Sequence, residues 1–298
     1  MRLPAVLRGL GSGLVLGLNT LLGFSLMVVP ALCKRVLPAG SLRTACDRLL
    51  NAIAGNWVAV NNAWIAAACR EPWRLRGPGL EGLKRNGWYL VSVNHQSWVD
   101  ILVLQRVFHG RIPFLKFFLK QQLIWVPFIG LAWWALDFPF VKRGGDARTQ
   151  RGDLAATRAA CEKFKRIPTS VINFVEGTRF TTARHAGQHS RYRHLLEPRI
   201  GGVGVALQTM GERFDAMLDV TIVYPDGTPS FWDLLSGRLR AVTVDVRQRE
   251  IPAALVRLDA SADRAYRQRL REWIELQWAE KDSLIPMLLK ESPHVAGR

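Results

Sequence analysis

The chain has 298 residues, enough to bury a full hydrophobic core in one or two domains. Its 41 lysines and arginines outnumber 24 aspartates and glutamates, so the net charge is +17, a balance that suits nucleic acid, anionic lipid or phosphorylated ligands. A hydrophobic content of 49% with 11 tryptophans favours the membrane surface among these. The four cysteines lack Cys-x-x-Cys spacing, which excludes a disulfide or zinc framework and predicts buried thiols in a reducing compartment.

An uncharged apolar run lies near the start of the chain, from residue 9 to residue 33. As a helix it spans about 37 Å at ~1.5 Å per residue, more than the ~30 Å core of a bilayer. This length predicts a membrane helix. A cleaved signal peptide would also begin with basic residues such as Arg2 and Arg8, but no Ala-x-Ala cleavage site follows.

A second uncharged run, of 21 residues, lies between Arg48 and Arg70. It contains four asparagines, too many amides for a lipid-facing span, so we expect a helix that packs against the first or lies in the interface. Basic residues flank both runs, and charge counting leaves open a hairpin that crosses the bilayer and one that enters a single leaflet. A Gly-Pro-Gly turn after Arg76 marks the expected boundary between N-terminal membrane helices, residues 1–75, and a globular domain, residues 76–298.

The start of this domain predicts a strand, a turn and a helix in succession. Residues 88–93 are β-branched and aromatic, whereas Ser97 to Asp100, followed by apolar residues, is typical of a capping box that opens a helix. This arrangement brings Asp100 round to His95 in the turn, where the carboxylate can accept the Nδ1–H and leave Nε2 as a general base. Because no Gly-x-Ser-x-Gly motif occurs, we expect the pair to activate a substrate hydroxyl. The alternative is that Asp100 only caps the helix and His95 only ends the strand.

Farther along, residues 112–134 predict a buried helix in preference to a third membrane span, because Pro127 and Gly130 interrupt the run. Its mixture of aromatic and basic residues would also suit a face that meets lipid. Strands at residues 170–176, 218–224 and 240–246, with a helix at 148–166, then indicate an α/β domain. The polar segment 184–199 contains three histidines, but its spacing favours a mobile basic loop over a metal site.

Three segments resemble, in order, the blocks of the glycerolipid acyltransferases, the family of 1-acylglycerol-3-phosphate O-acyltransferases. They are residues 94–100 (Asn-His-Gln-Ser-Trp-Val-Asp), 140–143 (Phe-Val-Lys-Arg) and 174–181 (Phe-Val-Glu-Gly-Thr-Arg-Phe-Thr). The third block and the tail at residues 273–282 are similar to the lysocardiolipin type. The resemblance implies one mixed-sheet α/β domain with helices on both faces, preceded by the two membrane-associated helices.

The resemblance also implies roles for individual residues. His95 would deprotonate the free hydroxyl of a lysophospholipid, and Asp100 would orient His95. Binding of the acceptor and its phosphate would fall to Lys142, Arg143, Glu176, Gly177, Thr178 and Arg179. One departure is that the family's fourth block carries a proline within a strand, whereas the segment 219–225 here has proline only at its end.

We therefore expect a membrane acyltransferase that moves a fatty acyl group from acyl-CoA or acyl carrier protein to a lysophospholipid, most simply 1-acyl-glycerol-3-phosphate. Other lysophospholipids or glycerol 3-phosphate are the alternative acceptors. No metal or other cofactor is expected, and no nucleic-acid-binding signature occurs. The expected location is a bacterial inner membrane, with the catalytic domain on the cytoplasmic side. The competing class is a non-enzymatic basic protein that binds anionic lipid at the membrane surface.

Overall fold

The computed structural model describes residues 4–69, 73–142, 147–256 and 264–290. Within these ranges the helices are α1 Ala5–Val36, α2 Ser41–Ala68, α3 Val99–Phe108, α4 Ile129–Ala135, α5 Ala147–Phe164, α6 Thr182–Gln188, α7 Gly201–Met210, α8 Phe231–Leu235 and α9 Arg264–Lys290. The strands are β1 Arg74–Arg76, β2 Tyr89–Val93, β3 Leu115–Phe117, β4 Leu119–Lys120, β5 Phe140–Val141, β6 Ser170–Phe174, β7 Ala216–Val223 and β8 Thr243–Arg249.

Six strands form the main sheet, in the order β1-β8-β7-β2-β6-β3. β7 and β8 are antiparallel, and the other neighbours are parallel, so the sheet is mixed. The expected α/β fold with a mixed sheet is confirmed. β1 spans the predicted boundary at residue 75, and the division of the chain into two domains stays a prediction.

Helices cover both faces of the sheet because side chains alternate along each buried strand. In β2, Tyr89, Val91 and Val93 enter a core shared with α1 to α4, whereas Leu90 enters a second core shared with α5, α7 and α9. Every residue of β2 is buried, as the continuous apolar character of this strand predicts. The strand is thus fixed from both sides, and its carboxyl end becomes a rigid support for the turn that follows.

Helix α1 packs against other elements of the fold over most of its length. Near its start Gly9 approaches the indole of Trp232 in α8, and near its middle the Asn19 amide donates to Asn61 of α2 at 2.8 Å. Farther along, Phe24 packs edge-on against Phe128, with ring centroids 5.4 Å apart. In the described part of the chain, α1 alone is long and apolar enough to cross a membrane. Its outward face exposes Val6, Leu7, Leu10, Leu14, Val15, Leu18, Leu21, Leu22, Leu26, Val28, Val29 and Leu32.

Three expectations for local structure are wrong. Residues 112–134 form β3, β4, a 3₁₀ turn and the short α4 instead of one helix, because Pro127 breaks the run and a side chain at Gly130 would meet the Ile124 carbonyl. Segment 184–199 is not a mobile loop throughout, because its first residues belong to α6. Asp282 of α9 also accepts two of its backbone N–H groups. The cysteines are free thiols, but Cys33 is exposed on α1.

A buried ion cluster joins the helical pair to the rest of the chain. Lys34 of α1 contacts Asp47 of α2 at 2.6 Å, and it also contacts Asp137, which follows α4. Lys163 of α5 supplies a second cation to Asp137 at 2.9 Å. Because Lys34 is only 7% exposed, these contacts replace the water that its side chain would otherwise bind.

Replacing Lys34 by methionine should lower the thermal unfolding temperature, because the buried Asp47 loses its cation and Asp137 keeps only Lys163. Removing one partner of a buried ion pair typically costs about 3–5 kcal/mol. The control is Arg35→Met on the exposed side of α1, which should leave the unfolding temperature almost unchanged. Equal effects of the two substitutions in detergent would contradict the coupling.

Candidate active site

The turn between β2 and α3 is held by side chains that bond backbone groups. The Asn94 amide exchanges two hydrogen bonds with the backbone of Ile222 in β7, at 2.8 and 2.9 Å. The Ser97 hydroxyl accepts the N–H of Val99 and donates to the carbonyl of Pro229. The predicted capping box is therefore only half formed: Asp100 accepts the Ser97 N–H, but the Ser97 hydroxyl does not accept the Asp100 N–H.

The turn brings His95 and Asp100 together, as the sequence predicts. His95 Nδ1 lies 2.8 Å from Asp100 Oδ2, which also accepts the N–H groups of Gln96 and Ser97 at 2.7 and 2.9 Å. The other oxygen, Oδ1, accepts the hydroxyl of Tyr224 at 2.5 Å. The Asp100 side chain is fully buried, whereas that of His95 is 14% exposed.

This arrangement determines which nitrogen of His95 can act as a base. The Asp100 carboxylate is an acceptor toward the backbone N–H groups and the Tyr224 phenol. It is also an acceptor toward His95, so the proton of the neutral imidazole lies on Nδ1. Nε2 is then unprotonated, and it has no hydrogen-bond partner among the described residues. Phe174 stacks on the imidazole, with ring centroids 4.0 Å apart, and fixes the plane of the ring. The site can therefore remove a proton from a hydroxyl group placed beside Nε2.

The turn after β6 packs directly on the His95 turn. Glu176 accepts the backbone N–H of His95 at 2.9 Å and that of Leu196 at 3.1 Å, and Phe180 donates its N–H to the His95 carbonyl at 2.7 Å. Burial raises the pKa of Glu176 to about 8, although its two amide donors act in the opposite direction. Glu176 thus supports the backbone of His95 from within the protein.

The remaining predicted binding residues follow in the same turn or near it. Gly177 has a positive φ of 68°, which turns the chain back toward His95, and Thr178 is half-buried. The Arg179 guanidinium lies 4.8 Å from the centre of the Trp98 ring, beside the His95 turn. Lys142 is exposed, and its backbone N–H donates to Asp153 at 2.6 Å. Arg143 lies outside the described residues.

Sequence reasoning assigned no role to two aromatic residues at the site, Tyr224 and Phe174. Phe174 is the last residue of β6, and Tyr224 directly follows β7. These two strands flank β2, and only this strand order places the two side chains beside His95. For the described ranges, no group of three or more potential metal ligands occurs. Of the three loop histidines, His185 uses Nε2 to contact the Tyr192 carbonyl at 2.6 Å.

The structure thus combines a mixed α/β sheet with a turn in which a histidine meets a buried carboxylate. The chain belongs to the acyltransferase family, whose model matches residues 74–228. It is 25% identical to lysocardiolipin acyltransferase 1 of Danio rerio, over 96% of this chain and 72% of that protein. It is 30% identical to 1-acyl-sn-glycerol-3-phosphate acyltransferase epsilon of Mus musculus, over 47% of this chain but only 41% of the relative.

A solved structure supports the fold independently. The 1-acyl-sn-glycerophosphate (LPA) acyltransferase PlsC of Thermotoga maritima superposes with a TM-score of 0.51 at 16% identity. The match covers 93% of this chain and 96% of that one, so it includes the N-terminal helices as well as the sheet. The protein is an acyltransferase, and the alternative of a non-enzymatic lipid-binding protein is no longer supported.

Glu176 should make stability depend on pH in a defined direction. Its pKa is higher in the folded chain than in the unfolded chain, so the folded state binds more protons between about pH 4.5 and pH 8. Its contribution to the free energy of unfolding therefore falls as the pH rises through this window. Urea unfolding of wild type and Glu176→Gln at several pH values should show a larger fall for wild type; equal slopes would contradict the shift.

Proposed function

We propose that this enzyme transfers a fatty acyl group from acyl-CoA or acyl carrier protein to the free hydroxyl of a lysophospholipid. The simplest acceptor is 1-acyl-glycerol-3-phosphate, which would give phosphatidic acid. The names of the Mus musculus relative and of the Thermotoga maritima structure support this acceptor. Another lysophospholipid remains the second candidate, because the Danio rerio relative is a lysocardiolipin acyltransferase. Glycerol 3-phosphate itself is a third.

The contact between His95 Nδ1 and Asp100 is the observation that carries the proposal. Nε2 of His95 takes the proton of the acceptor hydroxyl as its oxygen attacks the thioester carbonyl carbon. The new C–O bond forms, the C–S bond breaks, and the proton passes from His95 to the departing thiolate. Asp100 keeps the imidazole in the required tautomer and stabilises its charge while it holds the proton.

A cation beside this base would hold the acceptor. Arg179 is half-buried and lies over the Trp98 ring beside the His95 turn, and a guanidinium fork is well suited to bind a phosphate. We assign the same task to Lys142 and Arg143 at the end of β5, and we propose that Glu176, Gly177 and Thr178 shape the turn that presents Arg179. A phosphate held there would place the glycerol hydroxyl near His95.

The apolar surface of α1 gives this site its place at a membrane. α1 contacts α2, α4 and α8 from Gly9 to Lys34, so it stays attached to the catalytic sheet instead of leaving it. Exposed aromatic residues continue the apolar surface, and the side chain of Trp125 is 85% exposed. We propose that the helical pair enters one leaflet with this face. The proposed location is an inner membrane, with the catalytic side toward the cytoplasm.

An apolar cavity of about 110 Å³ lies between the helical pair and the catalytic helix. Phe24 and Trp57 line it on one side, and Leu102 of α3 lines it on the other. Leu102 and Asp100 lie two residues apart in α3, so their side chains point to different sides of the helix, and neither Asp100 nor His95 lines the cavity. We propose that the cavity receives part of the acyl chain of the donor, away from its thioester end.

Replacing His95 by alanine should abolish acyl transfer, because it removes the group that we propose takes the hydroxyl proton. A positioned base typically contributes about 10²–10⁴-fold to the rate. The assay follows thiol release from acyl-CoA in the presence of lysophosphatidic acid. His109→Ala, at the exposed end of α3, is the matched control and should keep the wild-type rate. Full activity of the His95→Ala variant would contradict the proposed mechanism.

Replacing Arg179 by glutamine should weaken binding of the acceptor more than that of the donor. Loss of one charged fork to a phosphate should raise the KM for lysophosphatidic acid by about tenfold. Arg213, whose guanidinium also lies over a tryptophan ring but outside the site, provides the control Arg213→Gln. A rise in the KM for the thioester alone would show that Arg179 serves the donor instead.

A further inference from the structure

Tyr224 contacts the catalytic pair from a strand that carries none of the assigned site residues. It follows β7, is 4% exposed, and donates its hydroxyl to Asp100 Oδ1 at 2.5 Å. This short distance is typical of a hydrogen bond to an ionised oxygen. Tyr224 and Pro225 end the segment that departs from the family's fourth block.

The strand that carries Tyr224 is fixed against the His95 turn at several points. Val220 pairs with Val93 at the end of β2, and Ile222 exchanges two hydrogen bonds with the Asn94 amide. Beyond the strand, the Pro229 carbonyl accepts the Ser97 hydroxyl at 2.6 Å. The phenol is therefore held in place by the backbone on either side of it.

We propose that Tyr224 is a positioning residue that sets the basicity of His95 by occupying the second oxygen of the Asp100 carboxylate. This inference rests on the proposed function of His95 as the base. Among the described residues, the Tyr224 hydroxyl is hydrogen-bonded to Asp100 and to neither His95 nor any of the proposed phosphate-binding residues. Its effect on His95 would therefore pass through the Asp100 carboxylate.

The two oxygens of the Asp100 carboxylate accept different donors. Oδ2 binds the His95 imidazole and two amides, whereas Tyr224 is the one donor to Oδ1 among the described residues. A donor on Oδ1 withdraws charge from the carboxylate and so weakens its attraction for a protonated imidazole. Without this donor the imidazole should hold its proton more tightly, and His95 would remain protonated up to a higher pH.

Replacement of Tyr224 by phenylalanine removes none of the other charged groups near His95 and Asp100. Glu176 faces His95 from the end of β6, Arg179 lies on Trp98, and Lys281 of α9 lies close enough to Glu176 to lower its pKa. None of these groups is a hydrogen-bond partner of Tyr224 in the described structure. Burial and the neighbouring Asp100 raise the pKa of Tyr224, so the phenol keeps its proton and remains a donor.

The test replaces Tyr224 by phenylalanine, which keeps the ring and removes the donor. We expect kcat to fall about tenfold with little change in either KM, as the loss of a charge-assisted hydrogen bond implies. The acid limb of the pH profile of kcat/KM should move upward by roughly 0.5–1 pH unit. Tyr266→Phe is the control, because Tyr266 is also buried and donates to the Leu255 carbonyl at 3.2 Å, away from the site.

A purely structural role predicts that both Tyr→Phe variants lower the unfolding temperature but leave kcat and the pH profile unchanged; that result would overturn the proposal. A second variant covers the case in which Tyr224→Phe does not fold. Replacing Tyr224 by 3-fluorotyrosine strengthens the donor, so the acid limb should move to lower pH, and an upward shift or no shift would also overturn the proposal. His95→Ala tests the proposed function separately, since an active His95→Ala would remove the base itself.

Discussion

The buried carboxylate of Asp100 is the constraint on which the rest of the site depends. A charged group with no solvent contact is stable only when donors surround it, and here they come from the His95 turn and from the residue after β7. The same contacts that make burial of the charge possible also orient the imidazole. Formation of the site is thus coupled to pairing of β2 with β7, and displacement of His95 would remove one of the four donors that the buried carboxylate accepts.

The N-terminal helices belong to the same packing unit as the turn that carries His95. Met27 of α1 and Ile65 of α2 lie in one core with Leu102 of α3, so the helical pair and the catalytic helix share buried side chains. The ion cluster around Lys34 adds a second attachment at the far end of α1. This packing gives the active site a fixed position relative to the exposed apolar face, which suits an acceptor that never leaves the lipid.

Local signals in the sequence predicted the contact between His95 and Asp100, because a strand, a turn and a helix within thirteen residues leave the two side chains one way to meet. Tyr224 lies 124 residues after Asp100, and only the strand order brings it there. The binding role of Glu176 stays a prediction, and its hydrogen bond with the His95 backbone is a second role that the sequence did not indicate. The short helices α6 and α8 were not predicted, because helices this short have too few residues to show a clear periodicity. The strands β3 and β4 within the apolar run at 112–134 were not predicted for the same reason.

The most direct test of the central claim is the rate of acyl transfer by Asp100→Asn. An asparagine can keep its carbonyl toward His95 and the two amides while its NH₂ group faces the Tyr224 oxygen, so the substitution removes charge and largely preserves shape. If the carboxylate supports a histidine base, kcat should fall by about 10²-fold or more while the KM for the acceptor changes little. A kcat close to that of the wild type would contradict the claim that this pair performs the chemistry.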